Sequence, residues 1–280
     1  MSIGYSAEDT IDLPVEYQQK WGINLLHFHI EKGGEQFRAD EISLPECWEF
    51  TKSTGNLCHT SAVNIDEAEK HFAKLKESHE KIIHFTISSG LSSGYQNACA
   101  AANGDPDIYV FDSRFTSGTI AMYVLFAQQW EKEGKSFEEI CSLLEEKKKA
   151  FQGSMFIGTT YYLYKGGRCS KLAAIGATLL KIRPIIVPDK DGKFTVGKKY
   201  IGPYARCLNN YIKDLLNSHR PIDKTRCFYN YSSIDPKILE DVLKQLKEFG
   251  FQEIYSFPVN VINGYHAGPE ANGLMFFYAD

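Results

Sequence analysis

The segment Thr86-Ile87-Ser88-Ser89-Gly90-Leu91-Ser92-Ser93-Gly94-Tyr95-Gln96 carries most of the information about how this chain folds and what it binds. A β-rich apolar run at 82–87 precedes it, and a helical pattern at about 95–102 follows. Four hydroxyls and two glycines therefore lie on a turn between a strand and a helix. Glycine lets the backbone approach a ligand closely, and the first turn of a helix presents unpaired N–H groups. The segment predicts a pocket for one small anion, such as a carboxylate or a phosphate.

Composition excludes several classes of protein. The net charge of -4 argues against nucleic-acid binding, which usually needs a basic face. No apolar run is long enough to span a membrane, and the N-terminus lacks the pattern of a secretion signal, so we expect a cytoplasmic protein. Seven widely spaced cysteines without a C-x-x-C pair predict free thiols, with neither a zinc site nor a disulfide framework. We therefore expect no metal and no cofactor.

Strand and helix patterns alternate in the first half of the chain. We predict strands at 25–30, 82–87 and 108–111, and helices at 66–80, at 95–102 and from a capping box at Ser136 to about 151. Such alternation is typical of a parallel α/β sheet. The second half has predicted strands at 155–160, 183–187, 194–199, 225–231 and 274–278, and a helix between the cap Asp235 and Gly250. The turn Asp189-Lys190-Asp191-Gly192 predicts a hairpin, and we place a boundary near 155–165.

Three further positions are candidates for the anion site. Thr60 and Ser61 lie before the helix at 66 and either cap a turn or add donors for the same anion. Arg168 follows two glycines before a helix-like segment at 172–180, and is either solvated or placed for a bidentate contact with an anion. His266 lies in a predicted loop shaped by two glycines and a proline. His27 and His29 could share one strand face, but no third metal ligand is evident.

An enzyme is the alternative interpretation. Gly90-Leu91-Ser92-Ser93-Gly94 matches the G-x-S-x-G nucleophile elbow of α/β-hydrolases, and Asp112 or another acid and then His266 follow in the right order for a catalytic triad. The chain lacks an upstream glycine-rich oxyanion motif, and three other serines crowd the turn. The hydrolase with Ser92 as nucleophile is therefore the less favoured hypothesis.

Several segments, in this order, resemble the DegV family of bacterial lipid-binding proteins. The motifs that carry the resemblance are Thr60-Ser61, the turn 88–93, the stretch Tyr161-Tyr162-Leu163-Tyr164-Lys165-Gly166-Gly167-Arg168, the stretch Leu179-Leu180-Lys181-Ile182-Arg183-Pro184-Ile185, and His266-Ala267-Gly268-Pro269. Each motif is weak alone, whereas the combination is specific and extends over nearly the whole chain.

The resemblance implies a two-domain α/β protein, with a parallel α/β sheet domain at 1–160 and an α+β domain with an antiparallel sheet at 161–280. It implies a long-chain fatty acid in a tunnel between them, presented to a separate fatty-acid kinase that makes the acyl phosphate, without catalysis by this protein itself. The residues that the resemblance assigns to the carboxylate are Thr60, Ser61, Ser88, Ser89, Gly90, Ser92 and His266, and Arg168 would face the phosphate or the partner.

The chain departs from the family pattern at three places. The N-terminal motif appears as Glu8-Asp9-Thr10-Ile11-Asp12-Leu13-Pro14, which keeps the end of the pattern and alters its start. Ala62-Val63 replaces the usual Gln-Pro, and Glu270 replaces a glycine and is expected to place a carboxylate near the site. These departures leave open a binding protein for another anionic lipid. The sequence also leaves open the acyl chain length, its saturation, the oligomeric state and the existence of a kinase partner.

Overall fold

The computed structural model describes residues 2–169 and 182–279. The strands are β1 (Ile3–Glu8), β2 (Ile23–Leu26), β3 (His29–Lys32), β4 (Glu35–Arg38), β5 (His59–Ser61), β6 (Lys81–Thr86), β7 (Ile108–Asp112), β8 (Phe151–Phe156), β9 (Ile182–Pro188), β10 (Phe194–Ile201), β11 (Arg226–Tyr231), β12 (Glu253–Pro258) and β13 (Asn272–Phe277). The helices are α1 (Val15–Lys20), α2 (Leu44–Thr54), α3 (Ile65–Lys76), α4 (Gly94–Ala102), α5 (Gly118–Lys132), α6 (Phe137–Lys147), α7 (Tyr161–Lys165), α8 (Tyr204–Leu216), α9 (Pro236–Phe249) and α10 (Val261–Ala267).

The first sheet is parallel, as the alternating pattern predicts. Its strands lie in the order β2-β1-β6-β7, and Thr86 at the end of β6 pairs with Asp112 at the end of β7. Apolar side chains such as Ile83 and Phe85 are fully buried because helices cover both faces of a parallel sheet. The serine-rich turn 88–93 follows β6, so it lies at the carboxyl edge of this sheet, where ligands of open α/β sheets usually bind.

The second sheet has six strands in the order β10-β9-β8-β13-β11-β12, and all its pairs except β11 with β12 are antiparallel. Helices α8 and α9 contribute Leu208 and Leu246 to the hydrophobic core on one face. The other face packs against α5, whose Ile120 and Tyr123 share a core with both sheets. Helix α5 is buried on nearly all sides because its residues are apolar around most of its circumference.

A third, three-stranded antiparallel sheet in the order β4-β3-β5 carries Thr60. Thr60 pairs with Ile30 of β3, which is fully buried and fixes the register of β5. Helix α10 packs against α2 next to this sheet. A helix close to the C-terminus therefore packs against the part of the chain that precedes residue 62.

Several predicted elements have different bounds in the structure. The strand predicted at 25–30 is interrupted after β2, because the Phe28 N–H donates to Asp9 Oδ2 at 3.2 Å instead of to a neighbouring strand. Strand β8 begins at Phe151, where the sequence predicted the end of a helix, so the strand predicted at 155–160 is shifted toward the N-terminus. Since β8 pairs with β13 and β9, the second sheet begins before residue 160. A division into domains 1–160 and 161–280 stays a prediction.

His266 lies in a helix, not in the predicted loop. Asn260 caps α10, and its side chain accepts a hydrogen bond from Asn263 N at 3.0 Å. Glycine within the motif suggested a loop, but Gly264 faces the side chain of Leu44, so the glycine allows α10 to approach α2 closely. The helix-like segment predicted at 172–180 lies outside the described residues.

The part of the chain that the structure describes includes no helix with both the length and the hydropathy of a membrane span. Several cysteines have free thiols, as their wide spacing predicts. They are Cys47, Cys58, Cys99, Cys141, Cys207 and Cys227.

The predicted hairpin between β9 and β10 is confirmed, and its turn lies on the serine-rich turn. Ser88 Oγ donates to Gly192 O at 2.8 Å, and Arg114 Nη1 donates to Asp191 O at 3.0 Å. A Cβ atom at Gly90 would lie 2.7 Å from Asp191 O and 2.8 Å from Lys193 N, closer than real Cβ contacts allow. Both neighbours are backbone atoms, so they cannot rotate away. The absence of a side chain at Gly90 therefore allows the two turns to pack together.

We expect Gly90→Ala to lower the free energy of unfolding by about 1–3 kcal/mol, because the added methyl group overpacks this contact. The matched control is Gly197→Ala in β10 of the same hairpin, where the nearest atom to a new Cβ lies at 3.5 Å. Urea denaturation of the three proteins provides the comparison. Equal stabilities of the two variants would contradict the tight packing of the turns.

Candidate functional site

An apolar cavity lies between the two large sheets. Its empty volume is about 840 Å³, which includes the space at its opening. The walls come from both halves of the chain, with apolar side chains that include Ile87, Leu91, Phe115, Met155, Phe194 and Met275. A mostly apolar lining with a few polar groups is typical of pockets for small molecules with large apolar parts.

The polar end of the cavity is its opening. Thr60, Ser92 and Arg168 line the cavity and also a second, more polar pocket outside it. That outer pocket is further lined by Ser61, Ser89, Gly90, Ser93 and Gln96. Because the two spaces share residues, a ligand with an apolar tail inside the cavity would present its head at the outer pocket.

A hydrogen bond between Thr60 and His266 closes this end of the cavity. Thr60 Oγ1 and His266 Nε2 are 2.7 Å apart, although the two residues are 206 positions apart in the chain. Burial, and then the positive charge of Arg168, lowers the pKa of His266 to about 3. The imidazole is therefore neutral near pH 7. Its Nδ1 atom is buried and has no hydrogen-bond partner among the described residues.

Arg168 supplies a positive charge at the opening. Its Nη1 donates to Gly166 O at 2.5 Å, which holds the guanidinium against its own loop. The loop can take this shape because Gly167 has a φ of 73°, in the left-handed region that glycine tolerates. A guanidinium in this position can bind a carboxylate or a phosphate through two parallel hydrogen bonds.

The serines of the predicted site have different surroundings. Ser88 is fully buried, and its hydroxyl donates to Gly192 O and accepts from Gly90 N at 3.2 Å. Ser89 Oγ donates to Asp112 Oδ2 at 2.5 Å. Ser92 Oγ accepts from Gly94 N at 3.2 Å, so its hydroxyl hydrogen remains available to a ligand. The structure thus brings Thr60, Ser92, Arg168 and His266 together on the cavity, and Ser61, Ser89 and Gly90 line only the outer pocket.

The geometry does not assemble the triad of the hydrolase hypothesis among the described residues. His266 Nε2 bonds to Thr60, and Asp112 accepts hydrogen bonds from Ser89 and lies 3.1 Å from Arg114 Nε. A serine hydrolase needs its histidine within hydrogen-bond reach of both the nucleophile and the acid.

Two departures from the family pattern have a structural explanation. Glu270 has a φ of 59°, and its carboxylate pairs with Arg183 Nη1 at 3.2 Å. Glu270 does not line the cavity, whereas the next residue, Ala271, does, so a carboxylate near the site stays a prediction. Ala62 lines both the cavity and the outer pocket, and Val63 belongs to the core beside it.

Residues 2–169 and 182–279 contain no cluster of three or more His, Cys, Asp or Glu side chains that could hold a metal ion. His27 lies 3.4 Å from Asp9, and His29 bonds to Glu67 at 2.9 Å, so the two histidines have separate partners.

A group of amide and hydroxyl side chains along the cavity wall was not predicted from the sequence. The group includes Asn230, Ser232, Asn263 and Thr116. A signal was present for Asn230. It is a polar residue near the end of the largely buried strand β11, and it is only 2% exposed. Buried amides at such positions usually have a partner or a function.

A buried carboxyl group supports the serine-rich turn from behind. Glu8 at the end of β1 accepts a hydrogen bond from Ile87 N at 2.7 Å. Burial raises the pKa of Glu8 to about 8. Glu8, which belongs to the altered start of the N-terminal motif, therefore stabilises the turn and does not line the cavity.

Comparison with known proteins agrees with this architecture. A fatty-acid-binding protein of Thermotoga maritima is 25% identical over 98% of this chain and 96% of its own length. The protein DegV of Bacillus subtilis is 26% identical over 99% of this chain and all of its own length.

Solved structures share the fold over the full chain. A DegV family protein from Thermus thermophilus, described as binding fatty acid, superimposes with a TM-score of 0.87 at 22% identity and covers 100% of both chains. A DegV family protein from Eubacterium eligens, loaded with heptadecanoic acid, gives a TM-score of 0.87 at 19% identity, over 99% of this chain and 100% of its own.

The family model described as "Uncharacterised protein, DegV family" matches residues 7–279. The parallel sheet, the separate sheet rich in antiparallel pairs and this match lead to one conclusion: the chain belongs to the DegV family.

Proposed function

We propose that this protein binds a long-chain fatty acid, with the acyl chain in the apolar cavity and the carboxylate beside Thr60, Ser92 and His266. The observation that carries the proposal is the bonded pair Thr60–His266 at the end of the cavity that joins the outer pocket. The names of the Thermotoga maritima and Thermus thermophilus relatives, and the heptadecanoic acid in the Eubacterium eligens protein, support the same ligand class.

The energetics favour such a ligand. Burial of an acyl chain gains about 0.8 kcal/mol per CH₂, or on the order of 10 kcal/mol for a common fatty acid before the costs of ordering. An unpaired buried carboxylate would cost several kcal/mol. Charge-assisted hydrogen bonds are worth roughly 1.5–3 kcal/mol each, so two or three donors offset that cost.

The neutral imidazole determines how Thr60 can act. In the tautomer that is protonated at Nε2, His266 donates to Thr60 Oγ1, and the Thr60 hydroxyl is then free to donate to the carboxylate. Ser92 provides the second donor. Neutral donors stabilise the carboxylate without a full counter-charge, so the oxygen remains nucleophilic.

The other predicted residues have supporting roles in this proposal. Ser88 and Ser89 hold the turn through Gly192 and Asp112, and Gly90 lets the hairpin turn approach. Ser61 is exposed and faces the outer pocket. We assign Ser88 and Ser89 to supporting the turn and not to binding the carboxylate directly, because their hydroxyl hydrogens already have acceptors.

We further propose that the protein presents the bound acid to a fatty-acid kinase for acyl-phosphate formation. The carboxylate would lie where the cavity meets the outer pocket, and Arg168 lines both spaces. Its charge would bind the phosphate that is transferred. A cytoplasmic location, which exchange with such a kinase requires, stays a prediction.

Thr60→Ala and Ser92→Ala should each weaken fatty-acid binding about 10- to 100-fold, the effect of losing one charge-assisted hydrogen bond. The control is Ser93→Ala, which removes an exposed hydroxyl that lines only the outer pocket. Titration with a fluorescent fatty acid measures the affinities. Unchanged affinity of both cavity variants would place the carboxylate elsewhere.

Arg168→Gln should reduce acyl-phosphate formation at least about tenfold while fatty-acid affinity changes little, because the charge is assigned to the phosphate. The assay combines the loaded protein with ATP and the fatty-acid kinase of its own bacterium. Lys165→Gln, which removes an exposed positive charge three residues away, is the control. Equal losses of binding and phosphorylation in Arg168→Gln would refute this division of roles.

His266 should remain neutral at pH 5 in the ligand-free protein, where an ordinary histidine is mostly protonated. The unfolded chain takes up this proton near pH 6.5 and the folded protein only near pH 3, so stability from this group is present above pH 6.5 and is lost as the pH falls. Nitrogen NMR of the imidazole, assigned with His266→Gln, reports the charge. A doubly protonated ring at pH 5 would be inconsistent with a neutral His266 beside Thr60.

A further inference from the structure

Asp12 is a buried carboxyl group that joins three separate segments of the chain. It lies shortly after β1 and is only 3% exposed. Its Oδ1 accepts a hydrogen bond from Asn260 N at 2.8 Å, and its Oδ2 accepts from Ser117 Oγ at 2.6 Å and from Asn263 Nδ2 at 2.8 Å. Ser117 immediately precedes α5, whereas Asn260 and Asn263 belong to the start of α10. Asp12 therefore ties the N-terminal segment to the beginnings of two helices.

The carboxyl group of Asp12 lies behind the cavity wall and not on it. Its partners Ser117 and Asn263 line the cavity, whereas Asp12 lines a different pocket together with Asp9 and His27. A ligand in the cavity would therefore not contact Asp12. Any effect of Asp12 on binding has to pass through the wall residues and the helix that carries them.

The hydrogen bonds of Asp12 fit its ionised form. All three are donated to the carboxyl group, and two of them come from the first turn of α10. A carboxylate stabilises the start of a helix because the N–H groups there lack intrahelical acceptors and carry a partial positive charge. Burial raises the pKa of Asp12 to about 7, although these hydrogen bonds act in the opposite direction. Above that pH the group is a carboxylate with three donors.

Helix α10 connects Asp12 to the proposed carboxylate site. Asn263 lies one turn before His266 on this helix, and His266 Nε2 is 2.7 Å from Thr60 Oγ1. A helix of seven residues is not stable alone, so its orientation depends on the contacts that anchor it. Asp12 anchors its first turn, and Tyr265 near its other end bonds to Thr51 of α2 at 2.9 Å. Hydrogen bonds weaken steeply with distance and angle, so a displaced first turn would weaken the bond of His266.

We propose that Asp12 is a positioning residue for the fatty-acid carboxylate. Its own carboxylate fixes the first turn of α10 and so keeps His266 within hydrogen-bond reach of Thr60. This inference rests on the fatty-acid binding proposed above, where Thr60 and His266 are assigned to the head of the ligand. Groups that hold a binding residue in place affect affinity without touching the ligand, because small displacements of the residue weaken its contacts.

Asp12→Asn tests this role with little change of shape. Asparagine tolerates the φ of 57° at this position, but one of its two polar atoms is an NH₂ group that cannot accept, so at least one of the three hydrogen bonds is lost. At pH 8.5, where Asp12 of the wild-type protein is ionised, nitrogen NMR of the ligand-free variant should show the imidazole signal of His266 shifted toward that of Thr60→Ala. Titration with a fluorescent fatty acid should show an affinity about 5- to 50-fold weaker.

The matched control is Tyr211→Phe. It removes a buried hydroxyl that bonds to Ser154 in the second sheet, and neither residue lines the cavity. This variant should be less stable than the wild-type protein and should keep both the His266 signal and the affinity. The comparison separates the positioning of His266 from a general loss of stability.

The outcomes separate the two proposals. An unchanged His266 signal in Asp12→Asn, or a shifted signal with unchanged affinity, overturns the positioning role and leaves fatty-acid binding intact. A wild-type protein that binds no long-chain fatty acid overturns the proposed function, and this result needs no variant. Should Asp12→Asn fail to fold, Asn263→Ala removes a contact of Asp12 from the side of α10, and the same two measurements on it decide the matter.

Discussion

The hydrogen bond between Thr60 and His266 is the contact on which the site depends. It joins a strand of the small third sheet to the helix that precedes the last strand, and it closes one end of the cavity between the two large sheets. Among the described residues, it is the side-chain hydrogen bond that links β5 to α10 at the opening. Its imidazole is neutral because burial and the charge of Arg168 both disfavour protonation.

Neutral and charged polar groups lie at different places near the opening of the cavity. Hydroxyls and a neutral imidazole lie on the cavity, where a full charge would be costly to bury, and Arg168 lies where the cavity joins the outer pocket. This arrangement suits an anionic head that must be held but also remain accessible. The turn of the β9–β10 hairpin stabilises it indirectly, because its carbonyl oxygen at Gly192 takes the hydrogen bond of Ser88.

The fold was largely predictable, since alternating apolar runs and caps act locally. The parallel strands β6 and β7, helix α4, the capping box of α6 and the cap of α9 all appear close to their predicted positions. The sequence also singled out Thr60, Ser92, Arg168 and His266, which lie together on the cavity, and their part in binding stays a prediction. The hydrogen bonds of Ser88 to Gly192 and of Ser89 to Asp112 form between distant segments, so no local sequence pattern predicts them. Asn260 as the cap of α10 was overlooked because the glycines nearby suggested a loop.

The most direct test is a crystal structure of the protein loaded with a long-chain fatty acid. The account predicts electron density for the acyl chain between the two large sheets, with carboxylate oxygens at roughly 2.5–3.0 Å from Thr60 Oγ1 and Ser92 Oγ. A carboxylate bound at the opposite end of the cavity, or an acid bound only outside it, would contradict the central claim.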